Sequence, residues 1–235
     1  ALSSIALQTN KNFSVYIGDD NSPYDVKTVV DRYVDKINIV YKRFSDNLGG
    51  KNLVAQWTRC IEISKNEEWL WLFSDDDEMD PECVNCFYKE LEKTKSKYDV
   101  YHFNIKVIDE NSDCVQIPKK YPKEISSFEF YKDKMLGTLK SLVVENIFSR
   151  NVYNKTGGFE EFDLAWGSDT ATWTKFIKST GMYSIDNSYV LWRKSGQNIS
   201  YDNSEITIER KFDALLEFYN WSFNFFGSNF KIKLL

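Results

Sequence analysis

Residues 69–78 read Trp-Leu-Trp-Leu-Phe-Ser-Asp-Asp-Asp-Glu, an apolar run that ends abruptly in acidic side chains. Five consecutive apolar residues rich in aromatics predict a strand over 69–73 that is covered on both faces, as in the parallel sheets of α/β proteins. Ligands of such sheets bind beyond the carboxyl ends of the strands. The junction therefore predicts an α/β fold with a ligand site at the end of this strand.

Three carboxylates, Asp75, Asp76 and Asp77, follow that strand directly. Two carboxylates about 4 Å apart repel by roughly 4 kcal/mol at an effective dielectric near 20, so a nearby cation would stabilise the group. Hard oxygen ligands with no neighbouring Cys or His favour Mg²⁺ or Mn²⁺ over zinc, and Mg²⁺ usually also binds substrate phosphates. Helix capping explains only the later acids, because Asp80-Pro81-Glu82 is typical of a helix N-terminus with Asp80 as the N-cap. The earlier three predict a metal site for a phosphate-bearing substrate.

Strand-like and helix-like segments alternate through the first hundred residues, which is typical of βαβ units. Strands are predicted over 13–17, 37–44, 69–73, 100–108, 142–148 and 188–192. Helices are predicted over 1–8, 26–34, 52–64, 81–96, 126–136 and 168–179, the fifth with a capping box from Ser126 to Glu129. Asp19 and Asp20 follow the first strand, so they are expected at the same crevice as the later acids, although Asp-Asn-Ser-Pro is also good turn chemistry.

Composition limits the classes of function. A net charge of −5 argues against a nucleic-acid-binding surface as the main partner site. The chain has no apolar run of about 18 residues and no secretory leader, which predicts a cytoplasmic protein. His102, the single histidine, lies in a predicted strand, so a His general base and the Ser-His-Asp arrangement are excluded. The four cysteines lack the paired spacing of a zinc site.

Several segments, in order, resemble the motifs of family 2 glycosyltransferases. Residues 1–22 are similar to the family's helix ending in Gln-Thr, a strand and then Asp-Asp-x-Ser. Residues 47–50 resemble its Asn-x-Gly turn, and residues 74–81 resemble its Asp-x-Asp region. Residues 155–159 and 167–169 are similar to its Gly-Gly-Phe and Glu-Asp motifs. The family begins with a further strand, and this chain is expected to start after it.

The resemblance implies a GT-A fold, an α/β domain with a Rossmann-like, mostly parallel central sheet flanked by helices. The glycosyltransferase domain would cover 1–205, with a nucleotide-binding half (1–105) and an acceptor half (106–205). The aromatic-rich segment 206–235 would be helical and packed on the domain. A lipid interface at the inner face of the membrane and a homodimer contact are the alternatives for this segment.

The implied reaction is transfer, with inversion, of a sugar from a nucleotide-sugar donor to a hydroxyl of a glycan or lipid-linked acceptor. The pathway would be bacterial polysaccharide or surface-glycan biosynthesis. The donor would be UDP-linked, with Asp19 or Asp20 on the base and Asp75, Asp76 and Asp77 sharing the ribose and a Mn²⁺ or Mg²⁺ ion. Asp76 is in register as the foremost metal ligand, and Asp169 would be the general base. A histidine that related enzymes carry near residues 192–198 is absent here, so Arg193 or Lys194 is expected to neutralise the diphosphate.

Two other classes remain in competition. A sugar nucleotidyltransferase also uses acids and Mg²⁺ on an α/β sheet, but the segments at 155–159 and 167–169 favour transfer to an acceptor. A noncatalytic carbohydrate-binding protein would suit the 7 tryptophans and 14 tyrosines, but it has no need for a strand-end acid triplet.

Overall fold

Helices and strands alternate along the chain. A computed structural model describes residues 1–194 and 204–227. The helices are α1 (Leu2–Ala6), α2 (Val26–Asp31), α3 (Leu53–Ile61), α4 (Cys83–Thr94), α5 (Ser127–Met135), α6 (Arg150–Thr156), α7 (Ser168–Phe176) and α8 (Glu205–Phe226). The strands are β1 (Val15–Asp19), β2 (Ile39–Arg43), β3 (Trp69–Trp71), β4 (Glu78–Met79), β5 (Val100–Ile108), β6 (Cys114–Gln116), β7 (Glu124–Ile125), β8 (Asn146–Ser149) and β9 (Met182–Arg193). A 3₁₀ turn over Asp163–Ala165 precedes α7. The parts of the predicted C-terminal segments at 195–203 and 228–235 lie outside the described residues.

The strands form two sheets. β1 and β2 pair in parallel as a two-stranded sheet. The larger sheet has the order β3-β8-β5-β9-β4, with β6 beside β5 and β7 beside β9. β5 and β9 are parallel, and β8 lies antiparallel between β3 and β5, so β3, β5 and β9 all run in one direction. The predicted α/β fold class is confirmed.

Side-chain caps set several helix starts where the sequence predicts them. Asn52 accepts a hydrogen bond from the backbone N–H of Ala55 at 2.9 Å and begins α3. Ser126 and Glu129 form the reciprocal capping box at the start of α5. Each cap satisfies backbone N–H groups that the first helical turn leaves without partners.

Several local predictions were wrong. The N-cap of α4 is Glu82 rather than Asp80, because the Asp80 carboxylate accepts the backbone N–H of Tyr189 and ties α4 to β9. The strand predicted over 142–148 begins only at Asn146, since 142–145 form a turn. β9 starts at Met182 rather than at residue 188, because its first half pairs with β5.

The strand that leads into the acidic cluster is shorter and less enclosed than predicted. β3 comprises Trp69–Trp71, and only Leu70 is buried, while the two tryptophans are half-buried. Trp69 packs edge-on against Phe87, and Trp71 stacks on Phe103 with ring centroids 5.3 Å apart. The apolar run therefore reflects aromatic packing on the core rather than a strand covered on both faces.

Helix α8 packs by one side against the elements that precede α7. Its buried residues include Ala214 and Phe218, which join Tyr131 and Phe162 in one apolar cluster. The opposite side exposes a stripe of apolar side chains at Ile208, Phe212, Leu216 and Tyr219. None of the helices in the described part of the chain has the length and apolar character needed to cross a membrane.

Candidate active site

A large open cavity of about 1970 Å³ lies between the two sheets. Its walls include β1, β3 and the start of α7, so residues far apart in sequence meet around one space. The six aspartates that the sequence singles out all line it: Asp19, Asp20, Asp75, Asp76, Asp77 and Asp169. The acid clusters that the sequence predicts to share a crevice do so in this structure.

Asp19 is a buried carboxylate at the end of β1. It accepts hydrogen bonds from Tyr41 Oη at 2.5 Å, from Arg43 Nη1 at 3.0 Å and from the backbone N–H of Ser22 at 2.8 Å. Burial opposes its ionisation, but these hydrogen bonds and the charge of Arg43 hold its pKa below the ordinary value. Asp19 is therefore a fixed anion that organises the turn after β1.

Asp20 shapes the neighbouring turn. Its carboxylate accepts the backbone N–H groups of Leu48 and Gly49, each at 2.8 Å, and pairs with the guanidinium of Arg59. Arg59 comes from α3 and also stacks over the ring of Phe44, 3.9 Å from its centroid. These contacts bring the Asn-x-Gly turn against β1, so two predicted motifs form one wall of the cavity.

The acidic triplet after β3 is not uniform. Asp75 is exposed, Asp76 is half-buried and Asp77 is buried. Asp77 Oδ1 accepts the backbone N–H of Arg193 at 2.7 Å, and burial raises the pKa of Asp77 to about 7. For Asp76, burial and the charge of Asp75 raise the pKa. The triplet concentrates negative charge that the surrounding side chains only partly compensate.

Arg193, at the end of β9, braces this loop. Its guanidinium donates to the Asp76 carbonyl at 2.9 Å, to Ser112 Oγ at 2.9 Å and to the Asp109 carbonyl, and it pairs with Glu78 at 2.5 Å. With these partners the side chain holds the acidic loop against β9. The structure does not place it as a cation facing the cavity.

Asp169 lies in the first turn of α7 with its carboxylate half-exposed in the cavity wall. Its Oδ1 accepts the N–H of Thr170 at 2.7 Å, and Oδ2 accepts no hydrogen bond from the residues that the structure describes. Gly167, with φ +89°, is the N-cap, and its hydrogen faces the ring of Phe218. A carboxylate at a helix N-terminus is favourably placed, because the helix dipole stabilises its negative charge.

The segment before α7 is held by α8. Leu164 and Ala165 have φ of +54° and +55°, which costs free energy in residues with a side chain. Arg210 on α8 forms a two-pronged ion pair with Asp163, at 2.7 and 2.8 Å, and Lys211 lies 4.7 Å from the ring centroid of Trp166. Helix α8 therefore fixes the turn that leads into Asp169.

The acidic loop suits a divalent cation whose coordination shell would be completed by substrate oxygens. Within residues 1–194 and 204–227, no three His, Cys, Asp or Glu side chains converge as a ready-made metal cage. Mg²⁺ commonly takes only one or two carboxylates and fills its shell with water and phosphate oxygens. Asp76 suits this role. Burial and the charge of Asp75 raise its pKa, and a bound cation would stabilise its ionised form.

Sequence reasoning missed the residues that hold the predicted acids in place. Tyr41, Arg43 and Arg59 anchor Asp19 and Asp20, yet they lie in segments without a recognisable motif. Glu145 was missed as well, although it is a fully buried carboxyl in the 142–145 turn. A charged residue inside the apolar run 142–148 was the one signal available for it.

The fold is that of the GT-A glycosyltransferases. Residues 1–148 match the description "Glycosyl transferase family 2", and the chain belongs to that family. Two uncharacterized glycosyltransferases, from Rickettsia prowazekii and Rickettsia typhi, are each 27% identical over 194 residues, 78% of this chain. That match covers 55% of each relative, so the chain spans about half the length of these curated relatives.

Solved structures share the fold. TarS of S. aureus (residues 1–349), in complex with UDP-GlcNAc, has a TM-score of 0.69 at 19% identity, covering all of this chain and 71% of that one. GalNAc-T7 with UDP, GalNAc and Mn²⁺ has a TM-score of 0.61 at 12% identity, covering 92% of this chain and 44% of that one. These likenesses confirm the GT-A fold predicted from the sequence.

Proposed function

We propose that this chain is a metal-dependent, inverting glycosyltransferase that moves a sugar from a UDP-linked donor to a hydroxyl of a glycan or lipid-linked acceptor. The observation that carries the proposal is the placement of three acid groups, from β1, β3 and α7, around one cavity. They would serve the base, the diphosphate and the acceptor respectively. The UDP-GlcNAc of the TarS structure and the UDP and Mn²⁺ of the GalNAc-T7 structure support this choice of donor and metal.

The β1 acids are proposed to bind the nucleotide base. Asp20 has the more exposed carboxylate, 22% against 0% for Asp19. Asp19 is held ionised by Tyr41 and Arg43 and so keeps the turn rigid without moving during binding. A rigid turn lowers the ordering cost that the donor would otherwise have to offset.

The triplet is proposed to hold the diphosphate through Mn²⁺ or Mg²⁺. Asp76 would be the principal ligand, Asp75 would share ribose and metal contacts, and Asp77 would assist from its buried position while anchoring β9. When bound, the ion would neutralise the charge of the departing diphosphate. Arg193 would act on the donor through the shape of this loop, since its hydrogen bonds are with protein groups.

Asp169 is proposed as the general base. The acceptor oxygen would bond to the anomeric carbon as the bond from that carbon to the diphosphate oxygen breaks, and the electron pair would leave with the diphosphate. The acceptor proton would pass to the carboxylate of Asp169, which lies in the cavity wall. Attack from the side opposite the leaving group gives inversion.

The setting proposed is bacterial polysaccharide or surface-glycan synthesis in the cytoplasm. Peripheral membrane contact and a homodimer are the two partner surfaces expected for the aromatic C-terminal region. The exposed side chains Ile208, Phe212 and Leu216 of α8 are available to either. Co-sedimentation with anionic lipid vesicles tests the first, and sedimentation velocity of the protein alone tests the second.

The decisive experiment is thermal unfolding with UDP, in the presence and absence of Mn²⁺. We expect UDP to raise the unfolding temperature only with Mn²⁺, because linkage stabilises the state that binds ligand. Asp76→Asn should lose the Mn²⁺ dependence, whereas Asp35→Asn, which removes an exposed carboxylate elsewhere, should keep it. No response of the unaltered chain to any nucleoside diphosphate would sink the donor-site proposal.

The base is tested separately by Asp169→Asn. This variant should keep the Mn²⁺-dependent response to UDP and lose transfer, measured with water as acceptor by the release of UDP from UDP-GlcNAc. Release at the unaltered rate would assign the proton to another residue. Formation of a UDP-sugar from UTP and a sugar 1-phosphate would instead favour a nucleotidyltransferase.

A further inference from the structure

Glu145 is a carboxyl enclosed by protein at the start of β8, with no exposed surface. Its Oε1 accepts the backbone N–H of Leu142 at 2.6 Å, while Oε2 has no hydrogen-bond partner in the described part of the structure. A half-satisfied buried carboxyl destabilises a fold, so its presence calls for an explanation. Such groups concentrate near functional sites.

The turn that Glu145 closes forms part of the cavity wall. Residues 141–144 line the cavity, and side chains from the elements around it hold their carbonyl groups. Lys134 from α5 donates to the Ser141 carbonyl at 2.9 Å, and Trp71 from β3 donates to the Val144 carbonyl at 2.6 Å. The backbone of this wall is therefore fixed from several directions.

The same turn is bonded to the helix that carries Asp169. Trp173 Nε1 donates to the Leu142 carbonyl at 2.9 Å, while the Leu142 N–H is held by Glu145. Trp173 follows Asp169 by four residues, so both side chains lie on one face of α7. Two hydrogen bonds thus connect Glu145, through Leu142, to the face of α7 that presents Asp169.

The charges around Glu145 come from several elements. Burial is the main cause that raises the pKa of Glu145 to about 7; the charge of Asp169 on α7 contributes to this rise, while the backbone N–H of Leu142 and the charge of Lys134 on α5 oppose it. Lys140 in the preceding turn and Tyr121 in the loop before β7 also respond to its charge. The charge of Asp169 therefore opposes the ionisation of Glu145, which is a coupling between the turn and α7.

We propose that Glu145 is a positioning residue for the general base, because it holds the cavity wall that is hydrogen-bonded to the face of α7 carrying Asp169. This inference rests on the proposed function, because it gives Asp169 its role. Glu145 does not touch the reacting atoms. When Asp169 takes the acceptor proton it loses its charge, which makes ionisation of Glu145 easier.

The coupling is tested without any activity. Infrared difference spectra recorded against pH follow the C=O stretch of a buried protonated carboxyl in the unaltered chain, and Glu145→Gln identifies its band by removing it. Asp169→Asn should move the titration midpoint of that band to lower pH by half a unit or more, because a neighbouring negative charge is gone. Glu92→Gln, an exposed charge removal on α4, should leave the midpoint in place. An unchanged midpoint in Asp169→Asn would overturn the coupling.

The role in transfer is tested with UDP release from UDP-GlcNAc and Mn²⁺. Glu145→Leu leaves the Leu142 N–H without its acceptor, so the rate should fall about tenfold while the response to UDP is unchanged. Glu145→Gln keeps an oxygen for that N–H and should keep most of the rate. A Glu145→Leu variant that releases UDP at the rate of the unaltered chain would refute the positioning role. If the unaltered chain releases no UDP but the infrared midpoint moves, the proposed function fails while the coupling stands. If Glu145→Gln does not fold, Glu145→Asp identifies the band by displacing it, and the Asp169→Asn measurement then follows that band.

Discussion

Gly167 offers a direct test of how closely α8 holds the start of α7. Replacement by alanine would place a Cβ 3.1 Å from Phe218 Cγ and 3.3 Å from Cδ2, in a residue whose φ is +89°. The left-handed backbone costs a residue with a side chain about 1–2 kcal/mol. Phe218 is buried in its cluster and cannot simply move aside, so the crowding adds about 1–3 kcal/mol. We expect Gly167→Ala to lower the free energy of unfolding by roughly 2–5 kcal/mol.

Gly157 provides the matched control. Its φ is +83°, close to that of Gly167, but an added Cβ would meet nothing within 4 Å. Gly157→Ala should therefore cost only the backbone strain of about 1–2 kcal/mol. Urea unfolding of both variants isolates the contact with Phe218 as their difference. Equal losses of stability would refute the reasoning.

A double-mutant cycle adds a second check on the same contact. Phe218→Ala removes Cγ and Cδ2, the two atoms that the new methyl group meets most closely, so alanine at 167 should cost less in that background. The coupling should fall within the roughly 0.5–3 kcal/mol typical of residues in contact. If the proposed function is right, Gly167→Ala should also slow UDP release from UDP-GlcNAc more than tenfold, because small misplacements of a catalytic group are costly. Mn²⁺-dependent stabilisation by UDP should persist, since it depends on another wall of the cavity.

Three further predictions concern charge. The exposed pair of Asp163 and Arg210 should contribute about 0.5–1 kcal/mol, so either single reversal destabilises the fold and the double exchange, Asp163→Arg with Arg210→Asp, restores most of the loss in urea unfolding. Arg193→Lys should cost about 2 kcal/mol by breaking the planar hydrogen bonds of the brace, while Arg32→Lys, on the exposed end of α2, should change stability by under about 0.5 kcal/mol. Burial lowers the pKa of His102 from 6.5 to about 3, so the stability it confers is complete above pH 6.5 and is lost as the pH falls toward 3. Relative to His102→Phe, the unaltered chain should lose about 1.4 kcal/mol per pH unit in that window, and parallel stability curves would contradict this.

The sequence predicted the positions of the acids better than the elements around them. Strand ends followed by Asp19 and by Asp75 can be recognised locally, because acid residues directly after apolar runs break a clear pattern. The length of β3 could not be predicted in the same way. Its tryptophans pack on Phe87 and Phe103, which come from later segments, and only tertiary structure decides how much of an aromatic run pairs as strand.

Partners of the acids escaped prediction for a related reason. Tyr41, Arg43 and Arg59 reach Asp19 and Asp20 across 22 to 39 residues, and such pairings follow from the arrangement of elements rather than from local spacing. Arg193 shows the limit most clearly. The sequence offers a cation near the predicted diphosphate site, but the structure engages it with Glu78, Ser112 and two backbone carbonyls.

The brace by Arg193 changes how charge balance at the acidic loop should be understood. A guanidinium that faced the cavity would compensate the triplet directly and reduce its need for a metal. Here the guanidinium pairs with Glu78 and donates to backbone carbonyls, and its charge offsets only part of the rise in the pKa of Asp76 that burial and Asp75 cause. The negative charge left at the cavity surface is therefore the charge that a divalent ion could neutralise. On this reasoning Arg193→Lys and Asp76→Asn differ in kind. Arg193→Lys should weaken the fold and leave the Mn²⁺ dependence of UDP binding. Asp76→Asn should abolish the Mn²⁺ dependence and leave the fold unweakened.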